Sequence, residues 1–225
     1  MQVHQISAQQ TQSKEAFLKT LAASMQNASG MRSASNSATA NNAGSNCFLI
    51  ETPALIDAPL SEVSSAFFDG NKDIALQFFE AVKKNVFALV DGILVDQKAA
   101  CISRLGDLFT EIEWLLHDKP VRAFPYYKDQ IVCTGAVLAS ALFYHFLLEQ
   151  GVDAIFVDIR DCIVTSDNFG GADVLEPITL SRIQQTFIPG RTHVTQAGIG
   201  ATDQNENARL TAEANDWVLK TIKGL

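Results

Sequence analysis

Positive charge is scarce in this chain. Lysine and arginine number 17 against 25 aspartates and glutamates, giving a formal charge of −8 and a pI near 4.9. A surface of that sign does not neutralise phosphates, which excludes nucleic acid or an anionic membrane as the main partner. Cysteine is also scarce: Cys47, Cys101, Cys133 and Cys162 are scattered, with no CxxC pair and no histidine at a zinc-ligand spacing. We read them as reduced thiols, in the core or near the surface, in a reducing compartment such as the cytoplasm, and expect no metal site from the residues alone. No run approaches the ~20 apolar residues that span a bilayer, and the N-terminus lacks the compact apolar segment of a secretory signal. It is serine-rich and acid-poor, with Lys14, Lys19 and Arg32, but has too little arginine for an organelle transit peptide. No membrane partner is expected.

What is present is globular. Hydrophobic residues make up 47% of the 225 and charged residues 19%, against disorder, coiled coil and collagen-like repeats. That length suits one large domain, or one domain with an appendage. Composition divides the chain into residues 1–46 and 47–225. The first part is mostly Gln, Ser, Ala and Asn, and Ser29 to Asn46 offers almost nothing to bury. It reads as a mobile segment that does not offset its own ordering entropy, with room for a short helix around Lys14 to Met25. A tag, a linker or a degraded first element of the domain would each look like this.

From Cys47 the pattern changes. CFLIE suits a strand, and Pro53 and Pro59 punctuate a loop behind it. Asp73 is placed to cap a helix to about Val90, with Phe78, Phe79, Val82, Val86 and Leu89 at intervals of three and four. A second helix runs from about Lys98 to His117, and Pro120 and Pro125 mark the following loop. Gly135 to Gln150 is a helix apolar nearly all round, which predicts burial between layers, and Gly151 supplies its left-handed stop. Ala154 to Asp158 reads as a parallel strand covered on both faces. Helix Thr179 to Phe187 and strand Thr192 to Gln196 repeat the alternation. The expectation is an α/β fold, a three-layer α/β/α sandwich around a mainly parallel sheet. Ligands in such sheets sit at the carboxyl ends of the strands, which directs attention to the segments after Asp158 and Gln196. Each is polar and glycine-bearing, as expected where backbone amides face a ligand.

These segments resemble a known family. Gln150 to Ala154, Asp158, Arg160, Thr165, Asp167, Asn168, Phe169, Gly170, Thr195, Gln196, Ile199 and Gly200 follow, in order and spacing, the motifs of aspartate kinase catalytic domains in the amino acid kinase family. The match covers roughly Lys128 to Asp203, and Leu76 to Trp114 only in helical pattern. The resemblance implies transfer of the ATP γ-phosphoryl group to the side-chain carboxylate of L-aspartate, the reaction that opens lysine, threonine and methionine biosynthesis. It implies L-aspartate and ATP with Mg2+ as ligands and is compatible with a homodimer. By position in the motifs, the substrate-binding residues would be Gly135, Ala136, Gln196, Gly198 and Gly200. Arg160, Asp167, Asn168 and Phe169 would form a loop at the site mouth. No catalytic residue is assigned.

The departures bear on activity, because phosphoryl transfer is mostly positioning and charge neutralisation. The family's opening Lys-Phe-Gly-Gly-Thr-Ser is lacking. Its Gly-Glu is Gly135-Ala136 here, and its Gly-Phe-Ile-Gly turn is Ala197-Gly198-Ile199-Gly200. Beyond Leu210, where the family carries a Thr-Thr-Leu-Gly-Arg-Gly-Gly-Ser-Asp stretch, this chain runs TAEANDWVLKTIKGL. The usual nucleotide-binding half and the regulatory ACT domains are also lacking. Losing one charge-assisted contact costs ~2–4 kcal/mol of transition-state stabilisation, so several losses together predict little or no aspartate kinase activity from this polypeptide alone. An aspartate kinase homologue completed by a partner, a non-catalytic relative or minimal engineered domain with an interaction role, and an unrelated small-molecule binder remain as alternatives.

Several residues have plainer readings. Asp167 to Gly170 can be simply a tight turn. His145 and His193 read as structural, and Cys133 has nothing nearby to lower its pKa. DQNEN at Asp203 to Asn207 lacks the glycine and the final glutamate of a calcium loop. Asp158, Arg160 and Asp161 read equally as an exposed ion-pair cluster or as an organiser of the site mouth. A last helix from about Ala208 to Lys223 would place Ala214, Trp217, Val218, Thr221 and Ile222 on one face, against the sheet or a second copy.

Overall fold

Two parallel strands at the centre of the sheet set the architecture. A computed structural model describes residues 1–6 and 45–225. In it β2 (Asn46–Ile50) pairs in parallel with β4 (Thr192–Gln196), Phe48 opposite Val194. The edges are β1 (Gln2–Ile6) beside β2 and β3 (Ala154–Phe156) beside β4, giving the order β1-β2-β4-β3, all parallel. Side chains alternate across the pleat, so the two faces bury different sets. Phe48 packs on Phe143 of the long helix at 5.4 Å between ring centroids. On the other face His193 packs on Phe187 at 5.2 Å. The sheet is thus covered on both sides, the α/β arrangement expected from the sequence.

Among the described residues six α-helices surround it: α1 (Ala54–Phe68), α2 (Lys72–Ile93), α3 (Lys98–His117), α4 (Phe124–Glu149), α5 (Glu176–Thr186) and α6 (Ala212–Lys223). A one-turn 3-10 helix, Ile159–Asp161, follows β3, and a hairpin of β5 (Ile199–Ala201) with β6 (Asn207–Arg209) lies beyond β4. α3 and β4 have the bounds read from the sequence.

Other boundaries need correction. The segment behind β2 is the helix α1, not a loop: Ile56, Leu60, Val63 and Phe67 form a buried stripe at helical spacing. Pro59 sits early enough in α1 that it removes a single intrahelical bond, to Leu55. α2 begins after Asn71, and Asp73 lies in its first turn instead of capping it, where its charge still complements the helix dipole. α4 starts eleven residues before Gly135, because Pro125 fits a first helical turn. The last helix starts at Ala212, capped by the Thr211 hydroxyl accepting from the Ala214 N–H at 3.1 Å, because Asn207–Arg209 are taken up as strand β6. Within residues 1–46, Gln2–Ile6 form an edge strand in register with β2, held by ladder bonds and not by their own apolarity. The helix around Lys14 to Met25 lies outside the described residues. α6 packs against β1, burying Val218 and Ile222, and the Met1 ammonium donates to the Lys223 carbonyl at 3.4 Å.

The expectation that no run is long enough for a bilayer also changes. α4 is 26 residues long and apolar enough to cross a membrane, but 83% of its most apolar window is buried inside the fold. Its polar residues have local partners: Thr134 donates to the Gln130 carbonyl and Ser140 to the Val137 carbonyl. It is the central core helix. All four cysteines are free and buried, and burial pushes Cys47 and Cys101 up to about 12.

Candidate functional site

The carboxyl ends of β2 and β4 lie side by side, joined beyond the ladder by the Ala197 N–H donating to the Ile50 carbonyl at 3.0 Å. From there the chains diverge, β2 into Glu51, Thr52 and α1, and β4 into a turn at Gly198, where φ is +75°. That backbone favours glycine. A cavity of about 410 Å3 opens between the diverging segments, lined by Glu51, Thr52, Asp57, Val132, Cys133, Gly198, Arg209 and Asn215 among others. Divergent strand ends are where parallel sheets hold ligands.

The polar groups of the wall are partly committed. The Gly198 N–H donates to Asn215 Oδ1 at 3.0 Å, and its carbonyl accepts from the Leu210 N–H at 3.0 Å. Glu51 Oε1 accepts from Gln5 Nε2 at 2.6 Å, while Oε2 is buried with no partner. Arg209 Nε donates to Asp129 Oδ1 at 2.5 Å, and Asp129 is fully buried. Asp129 Oδ2 also accepts from the backbone N–H groups of Arg209, at 3.0 Å, and Gly170, at 2.7 Å. One carboxylate therefore ties α4, β6 and the Asp167–Gly170 turn together, and it balances the guanidinium in the wall. Glu51 and Asp57 then leave the lining with a negative balance. Cys133 is no nucleophile: burial, helped by the nearby Asp129 charge, raises its thiol well above the ordinary value.

The residues singled out in the sequence are distributed as follows. Gly198 lines the cavity. Gly135 is a close-packing position in α4, where an added Cβ would lie 2.9 Å from Thr52 Cγ2 and 3.0 Å from Leu60 Cδ1. Ala136 is fully buried in the same helix and outside the cavity wall. Gln196 is a buried clamp, accepting from the Ile159 N–H at 2.7 Å and donating to Ser140 Oγ at 2.5 Å. Gly200 permits a close approach, a Cβ there meeting the Ile163 carbonyl oxygen at 2.8 Å. Arg160 holds Asp158 with two prongs, Nε to Oδ1 at 2.9 Å and Nη2 to Oδ2 at 2.7 Å, and reaches Asn207 Oδ1 at 3.1 Å and Glu111 Oε2 at 3.5 Å. It organises β3, α3 and β6. Burial disfavours its charge, but the Asp158 hydrogen bonds outweigh that and raise its pKa.

Asp167, Asn168 and Phe169 form a turn, the Phe169 N–H donating to the Asp167 carbonyl at 2.9 Å and Asn168 Nδ2 to the Gly171 carbonyl at 3.1 Å. Phe169 stands edge-on to Tyr126 at 5.0 Å, and Arg122 lies 3.7 Å from the Tyr126 ring centroid. The loop is docked on the start of α4. Glu51, Asp57, Asp129, Arg209 and Asn215 were not singled out in the sequence. Glu51 directly follows β2, so the strand-end rule points to it as it does to the ends of β3 and β4.

No family model and no curated protein matches this chain. Solved structures do. Escherichia coli aspartokinase III superimposes with a TM-score of 0.74 in its complex with aspartate and ADP and 0.72 in its complex with lysine and aspartate, each at 17% identity. The fold is aspartokinase-like. Clostridium acetobutylicum aspartate kinase superimposes with a TM-score of 0.64 at 12% identity. These alignments cover 99%, 98% and 99% of this chain but only 46%, 45% and 44% of the respective aspartokinases. The chain therefore spans less than half their length.

Within this aspartokinase-like frame the two described-core histidines are structural in geometry. His193 Nε2 accepts from the Ile188 N–H at 3.2 Å. His145 Nδ1 lies 3.3 Å from Gln97 Oε1. Burial, then the Arg104 charge, lowers His145 from 6.5 to about 4, and burial lowers His193. Both stay neutral when folded and take up protons on unfolding, so stability falls as pH drops from about 6.5 toward 4. We expect His145 to contribute ~1–2 kcal/mol across that window. In urea titrations at a series of pH values, His145→Phe should flatten the curve there. An unchanged slope would contradict a buried neutral imidazole.

Proposed function

We propose that this chain is a catalytically silent aspartokinase relative, with residues 47–225 and the edge strand Gln2–Ile6 carrying the amino acid kinase-like domain and the strand-end cavity as its remnant ligand site. The observation that supports this reading is the charge of the cavity wall. Its one guanidinium, Arg209, is matched by Asp129, two further carboxylates face the same space, and no lysine is in the lining. ATP brings a triphosphate that needs cationic partners, and Mg2+ arrives largely through those phosphates. The wall does not fit that group, so no phosphoryl-transfer step is assigned to these residues. The surplus carboxylates also oppose a dicarboxylate such as L-aspartate. The buried, free cysteines support a cytoplasmic setting.

The test is turnover. Chain, Mg-ATP, L-aspartate and hydroxylamine are incubated together, and any aspartyl phosphate is trapped as the hydroxamate. We expect no product above a protein-free control. Product growing linearly with time and protein concentration would overturn the reading.

A further inference from the structure

A second cavity, about 520 Å3, lies away from the first, between α3 and α4 at the carboxyl end of the edge strand β3. Its wall combines a buried acceptor, an uncommitted cation and an apolar surface. His145 lines it, is 5% exposed, and has a buried Nε2 with no hydrogen-bond partner. Nδ1 lies 3.3 Å from the Gln97 amide oxygen, a pairing that favours the tautomer with the ring proton on Nδ1 and a lone pair on Nε2. The Gln97 backbone is held in place, its main-chain N–H donating to Glu149 Oε2 at 2.8 Å beside the Val95 and Asp96 N–H groups on Oε1. An orphaned acceptor at this depth is costly unless something donates to it.

Opposite stands Arg104. Its guanidinium lies 4.5 Å from the Phe156 ring centroid and 5.5 Å from that of Tyr144. That stacking fixes its plane without using its N–H donors, and among the described residues no ion pair involves it. Asp107 stands one helical turn along α3, while Leu108, Val137 and Phe156 supply the apolar floor.

We propose that this cavity binds a small monocarboxylate with an apolar body and an adjacent N–H or O–H donor, the chemistry shared by apolar α-amino and α-hydroxy acids. The carboxylate lies on Arg104, the adjacent donor satisfies His145 Nε2, and the apolar body covers Leu108 and Val137. If the donor is an ammonium, Asp107 is its counter-charge; a hydroxy acid does without it. The site requires neither nucleotide nor turnover, and it stands whether or not the strand-end cavity is active.

The test is calorimetric titration of the full chain with L-leucine, its 2-hydroxy analogue, and 4-methylpentanoate, which lacks the donor. L-aspartate serves as the comparison. We expect saturable binding of at least one of the first two, and about tenfold weaker binding of 4-methylpentanoate, the size of one lost buried hydrogen bond. Arg104→Gln, at a half-exposed position, and His145→Phe should each weaken binding about tenfold or more without changing any response to L-aspartate. His145 Nε2, followed by 15N NMR, should shift on saturation. Binding by none of the panel, or binding indifferent to the donor and to both variants, would overturn the proposal.

Discussion

Asp129→Ala should lower the melting temperature by about 6–12 °C. The fully buried carboxylate accepts from the Arg209 side chain, the Arg209 backbone N–H and the Gly170 backbone N–H. Alanine leaves two backbone donors and a guanidinium without their acceptor, a loss of ~3 kcal/mol. For a chain of this size each kcal/mol moves the midpoint by about 2–4 °C. Asp129→Asn keeps one acceptor oxygen and should fall between the two. Calorimetric melts of the three proteins check this, and an alanine variant melting with the parent would mean that the brace between α4, β6 and the Gly170 turn contributes nothing.

Gly200→Ala should cost ~2–3 kcal/mol, more than Gly198→Ala at ~1 kcal/mol, although the two glycines are only two residues apart. At Gly200 an added Cβ would meet the Ile163 carbonyl oxygen and Thr165 Cγ2, each at 2.8 Å, and the first is backbone. That carbonyl also accepts the Ala201 N–H at 3.0 Å, so relieving the clash breaks a hydrogen bond. At Gly198 nothing lies within 4 Å, and the cost comes only from φ of +75°. Urea denaturation of the two variants separates close approach from backbone conformation. Equal losses, or the reverse order, would mean that the packing of β5 against Ile163 is looser than described.

The sequence carried the fold further than the site. β4 and α3 were legible to the residue because each has one period throughout, bounded by turn residues. α1 was hidden by Pro53 and Pro59, which mark loops by composition; Pro53 fits the N-cap, and Pro59, inside the helix, is tolerated because the buried stripe Ile56, Leu60, Val63 and Phe67 outweighs the bond it removes. β1 was hidden because Gln2–Ile6 gain their stability from pairing with β2, a non-local property. At the site, motif positions pointed to Gly135, Gln196 and Gly200, whose roles in this chain are close packing and clamping. The cavity wall depends instead on Glu51, Asp57, Arg209 and Asn215, brought together by the ends of different strands and helices. Nothing in the local spacing of Asp129 and Arg209, 80 residues apart, announced their pairing.

We propose that the aspartokinase-like fold is kept here without a wall able to hold a triphosphate. The most direct measurement is a thermal-shift titration of the whole chain with Mg-ATP, since a ligand that binds only the native state raises stability by RT ln(1 + [L]/Kd). The expected result is a cooperative melt whose midpoint does not move up to millimolar Mg-ATP. A saturable upward shift that Arg209→Met abolishes would contradict it.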